Sequence, residues 1–180
     1  MSRFQYYYDH VLRYEIAIKY NLSNSYDIPR IEAVHFHLTS KSVLQEGKSI
    51  FTAMLALEMV SRQKAALVKA KHSISSYRLR KGALIACHVT LRHPLAVYTA
   101  LEYLSTSVLP KQDGEVPHVD MQGNVSFGIT DCFAYKELEE EYDKFCKWLT
   151  GLQVTVTMSS GLPEAKKALV RALQLPSFQN

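Results

Sequence analysis

Apolar and polar residues alternate over Ile31-Glu-Ala-Val-His-Phe-His-Leu38, and a period of two predicts a strand with one wet face. Leu84-Ile-Ala-Cys-His-Val-Thr-Leu91 carries the strongest strand signal, being rich in residues that suit a pleated, half-buried surface. Further strands are expected at Ala65–Val68, Val125–Ile129 and Leu152–Met158. Elsewhere the period lengthens. Val11, Ile16 and Ile18 among Arg13, Glu15 and Lys19 mark a helix over Tyr6–Tyr20; Ile50, Met54, Leu57, Met59 and Val60 mark a second, ending near Arg62. Pro94 suits a helix's first turn, and behind it Leu95, Tyr98, Leu101, Leu104 and Val108 form an apolar stripe that Pro110 stops. Helices are also predicted over Glu139–Trp148 and Pro163–Leu173. Between these elements lie a linker (Asn21–Pro29), a turn (Thr39–Lys48), a polar stretch (Lys69–Ser76) and a loop (Lys111–Gly123).

The resulting order, α-β-α-β-β-α-β-α-β-α, brings some strands too close together for crossover helices. The sheet should therefore be antiparallel with helices packed on one face, an α+β fold with one layer of each. A length of 180 residues fits a single domain, 1–180, with the N-terminal helix (1–20) as an extension. A chain of this size removes roughly 70% of its unfolded surface from water and needs no staples. The three cysteines, Cys87, Cys132 and Cys146, are far apart and form no Cys-x-x-Cys pair, which argues against a disulfide framework or zinc ribbon. Neither a secretory signal nor a transit leader is expected from Met1-Ser-Arg-Phe-Gln-Tyr-Tyr-Tyr8, and no apolar run approaches the roughly 18 residues of a transmembrane helix. Without a secretory signal, the glycosylation patterns at Asn21 and Asn124 carry no meaning.

The formal net charge of +4 conceals a segregation of sign. Between Glu58 and Glu102 there is no Asp or Glu, whereas Arg62, Lys64, Lys69, Lys71, Arg78, Arg80, Lys81 and Arg92 fall there, with His72, His88 and His93. Solvated faces usually mix signs, so an acid-free stretch of this length stores repulsion unless a polyanion relieves it. Phosphates do so with release of condensed counterions. Ser73, Ser75 and Ser76 add hydroxyls within the run, and Tyr77 a stacking face.

Catalytic signatures are missing: there is no nucleophile elbow, phosphate-binding glycine loop, zinc-protease helix or dinucleotide fingerprint. His35 and His37 share a strand face and could ligate a metal, but without a third ligand at a helpful spacing a polar strand face is the better reading. Cys87 and His88 are adjacent in a strand, so they point to opposite faces and cannot pair as thiolate and imidazole. The acids near Glu139 read as an exposed helix face, and Met54, Met59 and Trp148 as packing residues. No enzyme activity, cofactor or metal is expected.

Ser61-Arg-Gln-Lys64, Lys69-Ala-Lys71-His-Ser73, Arg80-Lys-Gly82 and Ala86-Cys-His-Val-Thr-Leu-Arg92 together resemble the signature of large-subunit ribosomal protein five. The bacterial pattern is Ser-Gly-Gln-Lys-Pro, then Lys-Ala-Arg-Lys-Ser, then Gly-Cys-Lys-Val-Thr-Leu-Arg-Gly. Tyr7-Tyr8 with Ile28-Pro-Arg-Ile-Glu32, Gly123-Asn-Val-Ser-Phe-Gly-Ile129, and Gly151-Leu152 with Pro176 resemble further blocks in the same order, so the similarity spans nearly the whole chain.

The resemblance implies an α+β structural protein that docks on 5S ribosomal RNA in the central protuberance of the large subunit. RNA contacts are then expected at His37, Gln63 and Thr90 and along Arg62, Lys64, Lys69, Lys71, Ser73, Tyr77, Arg78, Arg80, Lys81 and Arg92. It also implies that the basic loop 62–82 reaches toward P-site transfer RNA, with large-subunit RNA and proteins of the protuberance and of the small-subunit head as neighbours. Several positions depart from the family pattern. Asn-Met-Gly becomes His37-Leu38-Thr39, Gly becomes Arg62, Pro becomes Ala65, and the basic segment after Pro110 becomes the shorter, no longer basic Lys111-Gln-Asp-Gly-Glu-Val116. Such divergence points to a mitochondrial ribosome, with the bacterial cytoplasm or a plastid as alternatives. An RNA-binding module working off the ribosome is the competing reading.

Overall fold

The computed structural model describes residues 2–39, 49–77, 79–112, 117–149, 151–159 and 161–175; the turn expected at Thr39–Lys48 lies, from residue 40, outside them. Strands are β1 (Ile31–Thr39), β2 (Ala66–Lys69), β3 (Leu84–Leu91), β4 (His118–Val119), β5 (Val125–Ile129) and β6 (Leu152–Met158). They hydrogen-bond as one six-stranded sheet in the order β2-β3-β1-β6-β5-β4. Pairing is antiparallel, with Leu67 opposite Cys87 at one edge and Val119 opposite Val125 at the other. Burial alternates along each long strand: Val34, Phe36 and Leu38, then Cys87, Val89 and Leu91, then Val125, Phe127 and Ile129, then Val154 and Val156. One face is core and the other is not, so the fold is the α+β arrangement expected.

The chain gathers into two compact units, to which β1, β3, β5 and β6 each contribute on both sides. The first comprises Met1–His35, Leu91–Gly128 and Val154–Asn180. Its N-terminal helix begins at Arg3, earlier than the apolar pattern predicts, because the Ser2 hydroxyl accepts from the Gln5 amide at 3.2 Å and caps the first turn. α1 (Arg3–Tyr7) runs through a π-helical stretch (Tyr8–Leu12) into α2 (Arg13–Lys19). Tyr8, Leu12 and Ile16 are buried at helical spacing, and the Tyr8 hydroxyl donates to the Pro29 carbonyl. α4 (Pro94–Tyr103) packs beside α1, with Val97, Tyr98 and Leu101 inside. Pro110 falls within a closing 3₁₀ turn, after which Gln112 is extended. α7 (Pro163–Ala172) completes the unit and buries Ala165, Lys166, Leu169 and Val170.

The Lys111–Gly123 stretch, read as loop from sequence, contains β4. Two residues are too few to register as alternation, but the Asp120–Gly123 turn folds them back on β5.

The second unit comprises Phe36–Thr90 and Ile129–Gln153. In α3 (Ser49–Ser61), Ile50, Ala53, Ala56 and Leu57 are buried on one stripe. The single helix expected at Glu139–Trp148 is instead two short ones, α5 (Lys136–Glu139) and α6 (Tyr142–Phe145). A continuous helix would set Glu137 against Glu141 and Glu139 against Asp143 at i,i+4, where like charges repel. The break falls at Glu141, whose ψ of 30° leaves the helical region, while Leu138 and Phe145 stay buried.

Candidate nucleic-acid interface

The polar stretch after β2 is a built hairpin. Ala70 N–H donates to Ala83 O at 2.8 Å and Gly82 N–H to Ala70 O at 3.0 Å, continuing the β2–β3 pairing outward. Farther out, the Ser73 hydroxyl accepts from Lys81 N–H at 2.9 Å, and Ile74 and Leu79 exchange backbone bonds of 2.9 and 3.0 Å. A 3₁₀ turn (Ser75–Tyr77) lies at the tip, and Gly82, at φ +84°, makes a return bend that an L side chain would resist. Lys69, Lys71, Arg80 and Lys81 are all exposed on this hairpin. Among the described residues none of the four has an ion-pair partner, which leaves four cations on a rigid stem open to an anion. Ser73 is there, but its hydroxyl serves the hairpin. Arg78 and the Tyr77 side chain lie outside the described residues.

The base of the hairpin joins the sheet through a second group of expected contacts. α3 ends at Ser61, whose hydroxyl donates to Leu57 O at 2.7 Å. Arg62 follows at φ +55°, the left-handed position where helices commonly end and glycine is usual. Its guanidinium is exposed, 3.7 Å from Glu137, an ion pair of little energetic weight. The Gln63 side-chain amide donates to Thr90 O at 3.2 Å, so residues 63 and 90 are adjacent in space. Lys64 is exposed beside them. Arg92 is exposed just beyond β3 and belongs to the first unit.

His37 projects from the face of β1 opposite the core and is exposed. Its imidazole lies 5.6 Å from that of His88 at an interplanar angle of 19°, a stacked pair. Partial burial, and secondarily His88, lower the pKa of His37 below the usual imidazole value. His88 was not among the expected contacts. The signal that could have found it was available: in a strand where Cys87 faces the core, His88 must face away, and an antiparallel partner brings it level with β1. Cys87 is fully buried, as its apolar neighbours dictate, and burial pushes its thiol up to about 11. His35 has a different neighbour, with Nε2 3.4 Å from the Thr157 hydroxyl. Among the described residues no three His, Cys, Asp or Glu side chains gather as a metal site.

Comparison with known proteins follows the same lines. Residues 84–177 match the model of the ribosomal protein uL5 family C-terminus. Over 180 residues, 98% of each chain, the sequence is 32% identical to large ribosomal subunit protein uL5m of Reclinomonas americana. It is 32% identical over 180 residues to large ribosomal subunit protein uL5 of Wolbachia pipientis, again covering 98% of both. With the uL5 of Nitrosomonas europaea it shares 29% identity over 184 residues and the full length of both chains.

Proposed function

This chain belongs to the ribosomal protein uL5 family, and from that membership we propose that it binds 5S ribosomal RNA in the central protuberance of the large subunit. Its role is that of a structural constituent of the large ribosomal subunit in translation, and it is not an enzyme. The observation that carries the RNA reading is the hairpin with Lys69, Lys71, Arg80 and Lys81 exposed on a backbone-pinned stem, within a stretch that holds no carboxylate from Met59 to Leu101. Cations held this way meet a phosphate backbone with little ordering cost, and each phosphate neutralised releases a counterion. His37, Gln63, Lys64, Thr90 and Arg62 supply hydrogen bonds and charge at the sheet end of the same unit. The hairpin tip reaches transiently to P-site transfer RNA, and neighbouring proteins of the protuberance and of the small-subunit head complete the surroundings. The ribosome is mitochondrial, a reading supported by the likeness to a mitochondrial relative.

Binding to a 5S ribosomal RNA transcript across a salt series tests this. Substituting Lys69, Lys71, Arg80 and Lys81 by Ala should weaken binding and flatten the slope of log K against log salt by roughly 0.7–0.9 per lost phosphate contact. An unchanged slope overturns the reading. Sedimentation of the tagged protein away from the large subunit of mitochondrial ribosomes overturns the location.

A further inference from the structure

On β1 and β3 two imidazoles, His37 and His88, stand in one cross-strand row, stacked with centroids 5.6 Å apart. The row ends at Ala66, registered opposite His88 on the edge strand β2, where a methyl group leaves room beside the ring. Among the described residues no hydrogen bond orients His88, whose Nδ1 is buried without a partner; its contact with His37 is what aligns the two planes. No carboxylate lies in β2 or β3 or in the segments joining them, and β1 contributes only Glu32, five residues away. Lys64 and Lys69, both exposed, flank β2. The lowered pKa of His37 keeps its ring neutral near pH 7, so it offers a flat π surface and not a charge.

We propose that His37 and His88 form a stacking ledge on which one unpaired nucleobase of a bound RNA rests. The proposal builds on the RNA-binding reading above and adds a residue and a mode of contact to it. Sheet surfaces that read RNA do so by stacking splayed bases on aromatic and imidazole rings, and stacking tolerates any base because every base has a π face. The acid-free surround and the flanking lysines suit the phosphates on either side of that base. A peptide would instead look for apolar pockets or a carboxylate, and the row offers neither.

Two probes separate stacking from charge: a single-stranded adenosine decamer and inorganic polyphosphate of similar length, which carries phosphates without bases. His37→Ala and His88→Ala should each weaken binding of the decamer about tenfold and leave polyphosphate binding unchanged. His37→Phe, which keeps a ring, should restore decamer binding and show the variant folded. Equal losses for Phe and Ala, or equal losses for both probes, overturn the ledge. So does a wild-type decamer affinity that rises tenfold between pH 8 and pH 6, since that would make the contact a cationic one. If the decamer behaves as expected while 5S ribosomal RNA fails to bind, the ledge stands and the 5S reading falls. If 5S ribosomal RNA binds and is indifferent to His37→Ala and His88→Ala, the reverse holds.

Discussion

The side-chain amide of Gln63 donates to the main-chain carbonyl of Thr90 at 3.2 Å, tying the segment after α3 to the last turn of β3. Gln63 N–H is itself taken by the Ser61 hydroxyl at 3.3 Å, so the residue is held at both ends while its side chain remains exposed. An exposed hydrogen bond of this kind contributes under about 1 kcal/mol to folding. Gln63→Leu should therefore cost little stability in urea unfolding, yet lower affinity for 5S ribosomal RNA about tenfold, the weight of one good hydrogen bond. Because the lost group is neutral, the salt slope should not change, in contrast to the lysine variants. A change of slope would show that the substitution disturbs the neighbouring cations.

Arg62 occupies a left-handed conformation, φ +55°, one residue past the end of α3. That conformation costs a residue with a Cβ roughly 1–2 kcal/mol, and glycine is spared the cost. Arg62→Gly should raise unfolding free energy by about 1 kcal/mol, since the exposed pair with Glu137 that it forfeits is worth less. The same variant should lower the salt slope of RNA binding by about 1 if the guanidinium meets a phosphate. A more stable protein with weaker, less salt-sensitive binding is the expected combination; a less stable one would mean that the ion pair outweighs the strain.

Burial raises the thiol pKa of Cys87 to about 11 and that of Cys132 to about 12, while Cys146 is exposed. At pH 8 an alkylating reagent should modify Cys146 alone in the native protein and all three in denaturant. Both buried thiols have folded pKa values above the ordinary 9.0, so the unfolded chain loses these protons first as pH rises. Their contribution to stability is thus complete below pH 9 and is lost between pH 9 and about 12. Native labelling of Cys87 at pH 8 would contradict the packing of β3 against the core.

Much of this was legible in the residues. Period-two alternation located β1 and β3 to within a residue, because one buried face is what forces the pattern. The family motif singled out positions 37, 63 and 90, and two of these are in contact through Gln63 and Thr90. Harder to read were features that depend on spatial partners. The hairpin after β2 is closed by main-chain bonds and the Ser73 hydroxyl, neither of which leaves an apolar period. The acidic run after Lys136 reads as one helix only if the repulsion within it is ignored. Departures from the family motif are also met locally: where Pro is usual, Ala65 keeps an N–H, and it donates to Glu58 Oε1 at 3.0 Å.

Gly123 and Lys166 form the tightest contact that a single methyl group can probe. Gly123 sits at φ +81° in the turn between β4 and β5, and an added Cβ would lie 2.7 Å from Lys166 Cδ. The lysine cannot simply swing away, because it is 4% exposed and its Nζ donates to Gln122 O at 2.5 Å. Gly123→Ala therefore meets two separate penalties, a left-handed backbone and a collision with an anchored stem. Together they should destabilise the protein by about 2–3 kcal/mol. In a Lys166→Ala background the collision disappears and only the backbone cost, about 1 kcal/mol, should remain. A double-mutant cycle measured by urea unfolding reads the difference as a coupling of at least about 1 kcal/mol between the two sites. Strict additivity would mean that the lysine stem moves aside at no cost and that the glycine is required by its φ alone.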